Sequence, residues 1–184
     1  MEVKGSAIAT IQGFVKNKYG GRFQEWLDSL PSESKKIYSG RIIPGLWYSV
    51  YDTVVVPTEK VIELFYGGNE HGSRELGRYN AETNLKGLYK VFVRIATPSF
   101  LIARVSNIFS TFYRPAKVEA EKLDNNSAVL RILEFPEPNY LCELGIAGFT
   151  ERALEICGCK GLTVNIVKSL AKGDTVTEIL ATWT

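Results

Sequence analysis

The chain has 184 residues, 45% of them apolar and 23% charged, with a formal net charge of +2. That is enough apolar material for one substantial core, and too small a charge imbalance for a disordered tail or a protein that grips nucleic-acid backbones. With no run of eighteen apolar residues and no leader-like N-terminus, a cytoplasmic protein without integral membrane association is expected.

Residues 1–113 read as helical. Ala7, Ile8, Ile11, Phe14 and Val15 recur at three- and four-residue spacing ahead of Gly20-Gly21. Phe23, Trp26, Leu27 and Leu30 continue a short helix that stops before Pro31, after which Ser32 opens another turn. Ile42–Tyr51, with Pro44 and Gly45 inside it, reads as a turn. Residues 50–66 form a helix kinked or restarted at Pro57, which leaves free carbonyls near the break. Ser73–Asn84 is a further helix, with Arg78 and Glu82 as an i,i+4 pair. Leu85–Thr97 and Ser99–Tyr113 follow, separated at Pro98.

The pattern changes at Pro115. Val118, Ala120 and Leu123 alternate with charged residues, Asp124-Asn125-Asn126 turns, and Val129–Leu133 completes a hairpin. A helix is expected from about Asn139 to Cys157, and a second hairpin from Leu162 to Trp183 turns at Lys172-Gly173-Asp174. The fold class is therefore α+β, a single domain over residues 1–184. N-terminal helices precede a β-β-α-β-β unit (115–184) whose strands make a four-stranded antiparallel sheet, one face covered by helix. The strand order is left open. Cys142, Cys157 and Cys159, the last two as C-G-C, favour unpaired thiols in a reducing compartment.

The opening E-V-K-G-S-A-I, the block R-E-L-G-R-Y-N-A-E-T-N-L-K-G-L-Y-K and F-P-E-P before the long helix resemble an uncharacterised bacterial domain family abundant in myxobacteria. That family is similar to the group containing the 4-vinyl reductase domain, the haem nitric-oxide-binding domain and subunits of the TRAPP complex. The resemblance implies a ligand cavity between helices and sheet and implies no activity. Two departures stand out. Haem-binding relatives use a helical histidine and Y-x-S-x-R, whereas the one histidine here is His71 in G-G-N-E-H-G-S, and Y-x-S-x-R is absent. Thr177 stands where 4-vinyl reductase-like domains often carry a cysteine. No cofactor and no metal are expected.

No phosphate-binding glycine motif, H-E-x-x-H or G-x-S-x-G occurs, so the chain is read as non-enzymatic. Arg74–Arg114 holds seven Lys/Arg against two Glu, together with seven aromatics. Its basic ridge of Lys86, Lys90 and Arg94 is too sparse for nucleic acid. The expected function is a small-molecule-binding or sensory module. Trp47, Tyr48, Tyr79, Tyr89, Phe92, Phe109 and Phe112 would line a pocket for a small apolar or amphipathic ligand, and Arg78, Lys86 or Arg94 would anchor its carboxylate. The alternative is a TRAPP-like scaffold, a homodimer or a protein partner docking on Leu141, Leu144, Ile146 and Phe149 of the long helix.

Overall fold

A computed structural model of the chain describes residues 1–87 and 97–184, with the side chain of Lys86 left undescribed. The helical half comprises α1 (Gly5–Tyr19), α2 (Phe23–Ser29), α3 (Ser32–Ser39), α4 (Val56–Tyr66), α5 (His71–Gly87), α6 (Pro98–Ile102) and α7 (Val105–Phe112). In α1 the predicted stripe is inward: Ala7, Ile8, Ile11, Phe14 and Val15 are all buried. With Trp26, Leu27, Tyr38, Val61 and Leu76, the last three of these α1 residues make one of the apolar clusters of the helical half.

Pro57 acts as expected of a proline near a helix start. A π-helical turn, Tyr51–Val55, leads into α4 with Pro57 in its first turn. The carbonyl four residues earlier, that of Thr53, receives no N–H from Pro57. The buried Tyr38 hydroxyl donates to it instead at 2.6 Å, and the Trp26 indole N–H donates to the Pro57 carbonyl at 3.2 Å. Tyr38 is thereby fixed by the break in the helix beside it, and Trp26 by the first turn of α4. At its other end α4 stops on Gly67, whose φ of 59° is the left-handed conformation that closes helices.

The second half follows its predicted pattern: β4 (Lys117–Lys122), β5 (Ser127–Glu134), α8 (Tyr140–Ile156), β6 (Thr163–Lys168) and β7 (Thr177–Thr182). All pairings are antiparallel, in the order β4-β5-β7-β6, so the two hairpins meet through β5 and β7 at the centre. Register puts the apolar alternation on one face. Ala120, Leu130, Ile179 and Ile166 form one cross-strand row, and Ala128, Ala181 and Val164 another. On the other face Arg131 joins Glu121 and Glu178, and Lys168 joins Glu178. The Asn139 side chain caps α8 by accepting from Leu141 N–H at 2.9 Å.

Three short strands were not expected. β1 (Glu2–Lys4), β2 (Trp47–Ser49) and β3 (Tyr113–Arg114) form a small antiparallel sheet ordered β2-β1-β3. The Ile42–Tyr51 turn thus contains a strand, and the predicted Ser99–Tyr113 helix is two short helices ending at Phe112. The predicted Ser73–Asn84 helix continues to Gly87. None of the described helices is long and apolar enough to cross a membrane.

Candidate functional site

The site grows from the contact between α5 and α8. A Cβ on Gly77 would lie 1.9 Å from the Gly145 carbonyl oxygen, and one on Gly148 would lie 2.1 Å from that of Arg74. Only glycine at both positions lets the two backbones touch. Charges hold the flanks of this seam. Arg74 Nε is 2.7 Å from Glu151; Arg78 reaches Glu151 at 2.8 Å and holds Glu155 with two N–H groups at 3.0 Å; Arg152 bridges Glu155 and Glu82. Burial opposes charge on the Arg78 guanidinium, but hydrogen bonding to Glu155 and the nearby carboxylates outweigh it and raise its pKa. Where an Arg78–Glu82 pair along α5 was expected, the nearest carboxylates to Arg78 are Glu151 and Glu155 across the seam, with Glu75 of α5 farther off at 3.9 Å.

Beside the glycine contact, where no side chain fills the space, lies a cavity of about 110 Å³. α1 contributes Ala7, Thr10 and Ile11; the π turn and α4 contribute Val54 and Thr58; α5 contributes Ser73, Leu76, Gly77 and Asn80. α7 and the strand after it supply Val105, Ile108, Phe109, Phe112 and Tyr113, and the sheet supplies Leu130. The α8 wall is Leu141, Cys142, Gly145, Ile146, Phe149 and Thr150. No charged side chain is among these described lining residues. Its hydroxyls are mostly committed: Thr10 donates to the Ala7 carbonyl, Ser73 to that of Leu141, and Thr150 to that of Ile146. Burial pushes the Cys142 thiol up to about 12, with the adjacent Glu143 acting the same way, so it stays protonated and unreactive.

Of the residues singled out from sequence, Phe109 and Phe112 line this cavity. Trp47 does not: it lies under Lys4 and Arg114, whose charges sit 4.2 and 4.1 Å from its ring. The Tyr48 hydroxyl accepts the Ile43 N–H, and Tyr79 packs on Phe14 while accepting from Asn17. Arg78 is taken up by the seam. Tyr89, Phe92 and Arg94 fall outside the described residues, as does the Lys86 side chain. Among the four α8 residues read as an interface, Leu141, Ile146 and Phe149 face the cavity; Leu144 is partly buried and does not line it. Sequence reasoning missed Thr58, Asn80 and the glycines Gly77 and Gly145. The small-residue spacing of Gly145 and Gly148 on one helix was the signal available.

By sequence the chain matches no family model and no curated protein. Its fold matches solved H-NOX structures. An S. oneidensis H-NOX protein in the Fe(II)NO ligation state aligns over 98% of this chain and 99% of that one, with a TM-score of 0.76 at 13% identity. An unliganded Fe(II) H-NOX protein from K. algicida gives 0.70 at 11% identity, covering 98% and 96%. A variant of the T. tengcongensis H-NOX gives 0.69 at 15%, covering 98% and 97%. At these identities the likeness is one of fold.

An H-NOX fold implies haem, and the described residues do not fit it. No histidine lines the cavity; His71 is largely exposed and sits 3.6 Å from Glu75. The other conceivable iron ligands in the wall, Cys142 and Tyr113, are both held in their neutral forms by burial. Arg74 and Arg78, the arginines of the adjoining seam, are committed to Glu151 and Glu155, leaving no cation among the described wall residues for propionates. The space is far below that of a porphyrin. Nor do the described residues hold any group of three His, Cys, Asp or Glu placed to bind a metal.

Proposed function

We propose that this chain is a non-enzymatic sensory module that binds a small molecule between α5, α8 and the sheet, using an H-NOX-like fold without haem. The observation that carries the reading is the cavity itself. It is bordered by five helices and both sheets. The titratable groups in its described lining, Cys142 and Tyr113, are kept neutral by burial and are not gathered with the partners that acid–base or nucleophilic chemistry needs. A ligand there touches both helices of the glycine seam, so occupancy can shift their spacing through any difference in affinity between two arrangements. Three free cysteines agree with a cytoplasmic setting. The wider kinship with 4-vinyl reductase-like and TRAPP-like domains, and with a myxobacterial family, is part of this proposal and rests on the sequence blocks alone. A scaffold role draws less support, because three of the four α8 residues that would carry it border the cavity.

Xenon tests the proposal because it reports apolar space without needing polar contacts. Saturable one-to-one binding is expected by ¹²⁹Xe NMR. Ala7→Leu, which extends an isopropyl group from the α1 wall, should weaken it while leaving the circular dichroism unchanged. A folded wild-type protein that takes up no xenon would refute the proposal.

A further inference from the structure

We infer that the ligand is a small uncharged molecule, at most about one ring in size, that exchanges a hydrogen bond with the hydroxyl of Thr58. This rests on the reading of the cavity as a binding site. Size comes first: about 110 Å³ is somewhat less than the ~150 Å³ of an apolar cavity that admits benzene. Charge comes second. With no charged side chain in the described lining, an ionised ligand would lose its hydration without gaining a counter-charge. Arg74 and Arg78 do not supply one, because they face Glu151 and Glu155, and Arg74 also donates to the Val164 carbonyl.

The third observation is an unfinished hydrogen bond. Thr58 is 3% exposed as a residue and lines the cavity, and its hydroxyl makes none of the side-chain hydrogen bonds seen among the described residues. Yet it is not one of the fully enclosed unpaired polar atoms, which are Ser34 Oγ and Tyr66 OH, so it opens onto the cavity. Thr10, Ser73 and Thr150 differ in that each spends its proton on a helix carbonyl. Buried hydroxyls are ordinarily paired, so the open partner of Thr58 has to come from what the cavity holds. Across on α5, Asn80 accepts the Asn84 amide through Oδ1, which leaves the Asn80 N–H groups as a second set of donors on the wall.

The test compares phenol, benzene and benzoate by NMR titration of wild type and Thr58→Val, a near-isosteric change that removes only the hydroxyl. Phenol should bind wild type about tenfold more tightly than benzene, the worth of one hydrogen bond. Thr58→Val should bring the two together, and benzoate should bind more weakly than either. If benzene binds as well as phenol, or if Thr58→Val leaves their ratio unchanged, the polar handle is wrong and the hydroxyl is merely hydrated, though the cavity remains a binding site. Benzoate binding above phenol overturns the uncharged class. If neither ring nor xenon binds the folded protein, the binding-site reading itself falls.

Discussion

Glu143 is 2% exposed, yet it makes no ion pair among the described residues. Its carboxylate instead accepts from Ser169 Oγ at 2.5 Å, Thr177 Oγ1 at 2.6 Å and the Ala171 N–H at 3.1 Å. One α8 side chain thus pins both ends of the β6–β7 connection. Thr177, where the family resemblance places a cysteine, is used here as a hydroxyl donor to that carboxylate. Replacing Glu143 with Ala leaves two hydroxyls and an amide without their acceptor, each costing about 1–3 kcal/mol. A loss of about 3 kcal/mol or more is expected in urea unfolding. A loss below about 1 kcal/mol would mean the turn is held by other contacts. No local pattern hinted at this role, since a glutamate in the first turn of a helix reads as a solvated end charge.

The α5–α8 pair is the element on which the site depends. Because a Cβ at Gly77 would occupy the Gly145 carbonyl, Gly77→Ala must push the helices apart, at about 3 kcal/mol or more, the upper end of overpacking costs. Chemical denaturation together with loss of xenon binding would register it; an unchanged midpoint would contradict the close contact. The seam also carries a pH dependence. Burial alone would raise the Glu155 carboxyl, but hydrogen bonds and charge from Arg78 and Arg152 prevail and hold it below its ordinary value. A carboxyl lowered in the folded state stabilises above its unfolded pKa, about 4.3, and that contribution fades as pH falls through the folded value. The denaturation midpoint should therefore drop below about pH 4.5, and Glu155→Gln should flatten that part of the curve. An identical slope in the variant would remove the seam from the explanation.

Across the whole molecule, topology and chemistry separate. The helices and sheet follow the H-NOX arrangement over 98% of the chain, while the cavity, among the described residues, lacks histidine, a cation for propionates, and room for a macrocycle. Fold alone does not fix what a site binds. Haemin titrated into the purified protein should give only weak, non-saturating absorbance changes. A one-to-one complex with a sharp Soret band that survives gel filtration would reverse this conclusion.

The helices and the four-stranded sheet were legible because each long element buries one face against the rest of the protein. Burial of one face imposes a period of 3.6 or 2 on the residues of that element alone. β1, β2 and β3 are two or three residues long, too short to show any period, and exist only because distant segments meet. The same distinction divides the site. Phe109 and Phe112 stood out as apolar residues of one helix, whereas Arg78 was assigned a partner on its own helix and makes its closest pairs with two carboxylates of α8. The cavity belongs entirely to the tertiary structure. It exists because glycines 68 residues apart, Gly77 and Gly145, bring two helix backbones into contact and leave space beside them, and no local pattern records which helix a glycine will face.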